Sequence, residues 1–290
     1  MPLRVAAISF LNPAPLLYSF EHEPTATTLR NYYSLHYTSP ANCAAELHSG
    51  VADLGLIPIA SLTPALAIVP GCTIASLDEV RSILLLVKNP NNLSPREALQ
   101  QVRTVAGDAA SRSSNAYARI LFERFHDNRP DFLELAADPL AQLAAADAAL
   151  LIGDPALLAR EHRAAIEAAA STPLLWLDLA QLWREHTGLP WVAAVWAIRP
   201  EALAEANIPP HQLIADLTFS RDAGLAHVDQ IVAQWSPRLQ IPPATIHTYL
   251  THNIHYKLDA GCLRTIQLFR AYAAEINALP PLPTLNILAP

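Results

Sequence analysis

A chain of 290 residues, 52% hydrophobic and only 16% charged, is too apolar to stay disordered and long enough to fill one large domain or two lobes. Nineteen Lys and Arg against 26 Asp and Glu leave a net charge of -7, which excludes bulk electrostatic attraction to nucleic acid and requires local groups to hold any anionic ligand. Three cysteines, Cys43, Cys72 and Cys262, odd in number and without a CxxC pair, give neither a disulfide framework nor a thiolate zinc site and fit a reducing cytoplasm.

The opening MPLRVAAISFLNPAPLLYSF predicts a strand over 4–11 rather than a signal peptide, because Asn12, Pro13 and Pro15 interrupt the apolar run. A helix over 13–20 follows. In open α/β sheets ligands sit beyond the carboxyl ends of strands, where Asn12 falls, and its amide both donates and accepts; capping the helix is the equal alternative. A strand over 34–38 precedes a helix framed by Ser39, by Pro40 at its first position and by Gly50 as terminator. The strand over 54–57 ends at Pro58, which opens a helix whose N-terminus points into the crevice. Strands over 72–76 and 81–87 come next. Arg81 reads as a solvated strand-end charge, and Ser82 as either a cleft hydroxyl or a strand hydrogen-bonder, on a strand that leaves one lobe for the other. Neither LGLIPIASLTPALAIVP, broken by prolines, nor RSILLLV reaches the roughly 18 apolar residues of a membrane span.

Ser94, Pro95 and Glu97 spell a capping box. The strand over 104–108 runs into a small-residue turn, and Ser111, Arg112, Ser113, Ser114 and Asn115 then crowd one helix N-terminus. Hydroxyls, a guanidinium and unsatisfied N–H groups favour a carboxylate-binding site here over a merely well-capped helix. Strands over 132–136 and 148–153 follow. In ALLIGDPALL, Gly153 and Asp154 stand between a strand and Pro155; Asp154 is most simply an N-cap, on a turn that borders the cleft. Strands over 174–177 and 191–199 complete an alternation of strands and helices that predicts an α/β fold with mostly parallel sheets. Beyond Pro200 the pattern is helical almost alone, over 210–223, 225–234, 242–253 and 259–276, and PPLPTLNILAP closes as an extended surface tail. The 25 prolines sit at element boundaries as stiffened turns.

Eight glycines form no GxGxxG, GxxxxGKS/T or GxSxG, so dinucleotide, P-loop and nucleophile-elbow chemistry lack their backbone requirements. His252 and His255, spaced HxxH, have no HExxH or carboxylate company, and no metal site is expected. Cys43 and Cys72 read as small buried apolar residues.

Taken in order, SFLNPAPL, GVADLGLIP, ASRSSNA, LLIGDPAL, TGLPWVAAVWAIR and YLTHNIHYKL resemble, over essentially the whole chain, the motifs of the menaquinone-biosynthesis family of the futalosine pathway, and most of all its chorismate dehydratase branch. LIGDPAL and TGLPWVAAVWA are the most specific, since neither follows from general α/β grammar. The resemblance implies an α/β, type II periplasmic-binding-protein-like fold: two α/β lobes, 1–85 with 197–290 and 86–196, joined by two crossovers around a ligand cleft. It implies a cytoplasmic hydro-lyase whose partner is a small molecule, chorismate, converted to 3-(1-carboxyvinyloxy)benzoate without metal or cofactor, and not nucleic acid or a membrane. Asn12 and Ser82 would orient the reacting groups; Ser111, Arg112, Ser113 and Ser114 would hold a carboxylate, with Gly153 and Asp154 bordering the substrate.

Relatives carry Gly-Pro-Val before the crossover serine, where this chain has Asp78, Glu79, Val80 and Arg81. Two carboxylates beside a dianion's pocket must either point outward, with Arg81 compensating, or signal a different substrate. Two alternatives remain open. The sister enzyme that makes dihydroxynaphthoate carries a Pro-Asn-Asp type opening turn in place of LNPAP, and a solute-binding module normally carries a signal peptide or lipidation cysteine.

Overall fold

The computed structural model describes residues 1–108 and 111–290, so the turn expected at 109 and 110 lies outside the described residues. In chain order the strands are β1 (Leu3–Ile8), β2 (Tyr33–Thr38), β3 (Leu54–Pro58), β4 (Ala67–Ser76), β5 (Ile83–Lys88), β6 (Thr104–Asp108), β7 (Asp131–Leu135), β8 (Ala148–Ile152), β9 (Leu174–Asp178), β10 (Trp191–Ile198) and β11 (His255–Leu258). They form two sheets, β11-β4-β10-β3-β1-β2 and β7-β6-β8-β5-β9, each clothed by helices in the manner of an α/β lobe.

Both sheets are mixed, against the expectation of mostly parallel ones. β1 runs parallel to β2 and β3, and β6 parallel to β7 and β8. β10 lies antiparallel between β3 and β4, and β5 antiparallel between β8 and β9. The reversed strands flank the passages between sheets: β4 leads straight into β5, and the helix Leu179–Thr187 leads back to β10, so these strands enter against the direction set by the βα units. Sheet membership changes between Ser76 and Ile83 and again between Asp178 and Trp191, a few residues before the expected divisions at 85/86 and 196/197.

β5 and β8 are buried on both faces, as their unbroken apolar runs require. Leu85, Val87, Leu150 and Ile152 join the main core, while the alternate residues Leu84, Leu86, Ala149 and Leu151 meet Leu143, Ala156 and Ile166 in a smaller cluster. Local signals act as written. The Ser39 side chain accepts from the Asn42 amide and Gly50 closes that helix at φ 74°, while Ser94 and Glu97 bond reciprocally.

Two expectations give way. Pro58 opens only a single 3-10 turn, Ile59–Ser61, since Pro64 lies too close for a longer helix. The helix expected over 242–253 is α-helical only over Pro243–Thr248; a π-turn, Tyr249–Asn253, follows, and β11 then pairs antiparallel with β4. Tyr256 is buried and Lys257 exposed, the two-residue alternation of a strand within a segment otherwise read as helical. The tail packs Leu285 and Leu288 on the core, with Ile287 bridged to Ile68. No described helix is long and apolar enough to cross a membrane.

Candidate functional site

Between the two sheets lies a narrow cleft. One wall is the carboxyl ends of β1 and β3, at Ile8 and Pro58, with Phe10, Asn12 and the middle of β10; the other is Ile83, Ile152, Gly153 and the helix start at Ser111, Ser113 and Ser114. The strand ends place it there, as in other open α/β sheets. Among the described residues its lining carries hydroxyls, one amide and backbone groups but no charged side chain.

Asn12 stands on this wall with its side-chain Oδ1 buried and without a hydrogen-bond partner among the described residues. A buried acceptor left unmade costs about 1–3 kcal/mol, so the geometry is that of a group awaiting a donor. The backbone on either side is tied: the Tyr256 phenol donates to the Asn12 carbonyl at 2.9 Å, and the Leu11 amide donates to Asp154 Oδ1 at 2.9 Å.

Ser111, Ser113 and Ser114 reach the cleft at the start of the helix Arg112–Ile120. Ser111 is its N-cap, accepting from the Ser114 amide at 3.2 Å. Ser113 spans the lobes, its Oγ accepting from the Ala60 amide at 3.1 Å and donating to the Ala193 carbonyl at 3.4 Å. Arg112 does not join them. It is exposed and lines a separate groove with Arg119, Phe132 and Glu134, because its direction on the helix diverges from that of Ser113 and Ser114.

Ser82 lies behind the wall formed by Ile83 and Gly153 rather than on it. Its Oγ accepts the Tyr249 phenol at 2.8 Å and its carbonyl accepts the Gly153 amide at 2.8 Å. Gly153 adopts φ 60°, and a β-carbon there would sit 2.7 Å from the Phe10 ring, so any larger residue must both strain the backbone and displace Phe10. Asp154 is set behind it. Burial pushes its carboxyl up to about 6, tempered by the Leu11 amide and the Arg238 charge.

The Asp78-Glu79-Val80-Arg81 crossover turns its carboxylates away from the cleft. Glu79 pairs with Arg160, and Asp78 with Arg184 at 3.3 Å, so these arginines and not Arg81 compensate. Arg81 is held at φ 67°. Asp178, which no local signal pointed to, clamps the turn: its carboxylate accepts from the Val80 amide at 3.2 Å and the Arg81 amide at 2.7 Å while also capping the helix Leu179–Thr187 through Ala180 and Gln181. Burial raises the Asp178 carboxyl to about 6 even against these amides.

The two histidines of HxxH do not converge: His252 meets Thr251 and His255 meets Asp259. His255, Asp259 and Cys262 do lie together, with ligand atoms within 4.8 Å of one another. Asp259 there caps the helix Ala260–Glu275 through the Cys262 amide, and burial pushes the fully enclosed Cys262 thiol up to about 12.

The chain is 29% identical over 248 residues to the chorismate dehydratase of Thermus thermophilus, covering 80% of this chain and 83% of that one. Among solved structures it is similar to a protein of Archaeoglobus fulgidus (TM-score 0.69, 14% identity, 95% and 97% of the chains covered). It is also similar to the periplasmic aliphatic sulphonate binding protein of Escherichia coli (TM-score 0.67, 15% identity, 100% and 92% covered). At that identity these structures establish the shared periplasmic-binding-protein-like fold of two lobes and a cleft. A family model described as menaquinone biosynthesis matches residues 3–275, which takes in every wall of the cleft and both crossovers, and the chain therefore belongs to the menaquinone-biosynthesis family.

Proposed function

We propose that this protein is a hydro-lyase that dehydrates chorismate to 3-(1-carboxyvinyloxy)benzoate, the entry reaction of the futalosine route. The observation that carries the reading is the buried Oδ1 of Asn12, without a partner among the described residues, in a cleft whose described lining is otherwise neutral donors and apolar carbon. Such an acceptor calls for a ligand that brings a hydroxyl, and chorismate brings one at C4, on the carbon from which oxygen must depart. Its carboxylates suit hydroxyls and helix N-terminal amides, here Ser111, Ser113 and Ser114, which bind anions without a counter-charge.

The balance is simple. The C3 proton leaves to a base, its electron pair forms the C3–C4 double bond, the C4–O bond breaks, and hydroxide takes up a proton to leave as water. C3 is vinylogous to the ring carboxylate, so the carbanion is delocalised, and aromatisation supplies the drive. No electron acceptor enters this redox-neutral balance. Among the described residues the cleft lining offers no carboxylate, imidazole or amine as base, and the substrate's own enolpyruvyl carboxylate lies close enough to C3 to serve, passing its proton to the departing oxygen. The protein's part is then alignment: Asn12 holds the C4 hydroxyl, the serines hold a carboxylate, and the apolar wall excludes water.

Incubating the purified protein with chorismate and following the product by liquid chromatography and mass spectrometry tests this. A product lighter by one water with an aromatic spectrum is expected; folded protein that leaves chorismate unchanged overturns the reading.

A further inference from the structure

Every block of the family resemblance except YLTHNIHYKL contributes a residue to the cleft wall. That last block instead reaches behind the wall at three points. The Tyr249 phenol donates to Ser82 Oγ at 2.8 Å, the Asn253 side-chain Nδ2 donates to the Glu79 carbonyl at 3.1 Å, and the Tyr256 phenol donates to the Asn12 carbonyl at 2.9 Å. One segment thus grips both the crossover, at Ser82 behind the cleft wall, and the opening turn, from which the dehydratase reading draws its contact to the C4 hydroxyl. The π-turn Tyr249–Asn253 sets Tyr249 toward the crossover, and the pairing of β11 with β4 fixes Tyr256 beside the opening turn.

We propose that Tyr249 and Tyr256 are positioning residues of this site, a bracket that holds Ser82 and the Asn12 turn in register with each other. The inference rests on the dehydratase reading. Both side chains are almost fully enclosed, and burial holds both phenols far above the ordinary range, so they donate and do not ionise. Tyr249 occupies an acceptor lobe of Ser82 and so restricts its rotamer, leaving the serine's own hydrogen for another acceptor. Through the Ser82 carbonyl the same contact steadies the Gly153 amide and with it the opposite cleft wall. Tyr256 pins the carbonyl of the residue whose amide oxygen awaits the ligand, which fixes where that oxygen points. Near-attack alignment is sensitive to displacements of about 1 Å, the scale on which loss of such a tether acts.

The test uses Tyr249→Phe and Tyr256→Phe, which keep the rings and remove only the hydroxyls, with kcat, KM and thermal unfolding measured for each beside the wild type. In each, kcat falls by about tenfold or more while KM stays within about twofold, because alignment rather than ground-state binding is lost. The Tyr256→Phe change adds nothing further in an Asn12→Ala background, since its effect passes through that residue. A lowered melting temperature with kcat per folded molecule unchanged, in either variant, shows a structural tyrosine and overturns the bracket. If the wild type itself makes no product, the dehydratase reading falls and this inference with it; an active wild type with an unimpaired variant removes this inference alone.

Discussion

The Leu11 amide and Asp154 Oδ1 meet at 2.9 Å from residues 143 positions apart, one on each side of the cleft. This contact closes the back of the site with a carboxyl whose folded value, about 6, lies above the ordinary 3.8. The folded state therefore holds that proton more tightly than the unfolded chain, and the stability contributed by the group falls as pH rises from about 4 to about 6, with the full cost of the buried charge present above. Asp154→Asn removes the charge and keeps an acceptor for Leu11. Denaturant unfolding is expected to find it more stable than wild type by about 2 kcal/mol near about pH 8, with the advantage gone below about pH 4; an advantage that does not shrink on acidification contradicts the linkage.

Asn12→Ala should lower kcat for chorismate by about a hundredfold. Its Oδ1 has no partner among the described residues, so truncation removes no acceptor contact seen there and the melting temperature should barely move. Turnover near the wild-type level would take Asn12 out of the reaction.

Arg112→Ala is expected to leave KM and kcat unchanged, because the side chain lines a groove apart from the cleft. A raised KM would mean that the guanidinium reaches the substrate after all.

Gly153→Ala places a methyl group 2.7 Å from the Phe10 ring at φ 60°. The backbone and packing strain together should destabilise the fold by about 2 kcal/mol or more, and displacement of Phe10 should raise KM. Calorimetry and steady-state kinetics on the same preparation check both; an unaltered melting temperature would show that Phe10 swings aside freely.

Asp178→Ala leaves the amides of Val80, Arg81, Ala180 and Gln181 without their acceptor. A loss of about 3 kcal/mol or more in denaturant unfolding is expected, at the upper end of single substitutions. A loss under about 1 kcal/mol would mean that water replaces the carboxylate at the crossover.

What the chain states locally, it states clearly. Ser94 with Glu97, Ser39 with Gly50, and the strand over 104–108 carry their signals within a few residues, and Asn12, Ser111, Ser113, Ser114 and Gly153 come together at the cleft because each follows a strand or opens a helix beside one. Arg112 faces a different groove from the three serines for a reason helix geometry already contains: successive residues turn by about 100°, so a run of four cannot all face one cleft. Asp154 looked like an N-cap, and its acceptor role toward Leu11 is invisible without the opposite lobe. Tyr249, Tyr256 and Asp178 act on partners 167, 244 and 98 residues away, and no local pattern distinguishes such tyrosines from core aromatics or such an aspartate from any other helix cap.

The position of β10 bears on how the molecule is made. It is the strand that joins β3 to β4, yet it follows every strand of the five-stranded sheet in the chain. As the polypeptide emerges from the ribosome, β5 to β9 can all pair while the earlier sheet is still two fragments, with β4 hydrogen-bonded to neither β1 nor β3. The fully buried Trp191 and Trp196 arrive with the strand that seals that gap. Nascent chains ending before Trp191 therefore carry one finished sheet and one with two open inner edges, the kind of exposed backbone to which chaperones and stray strands are drawn.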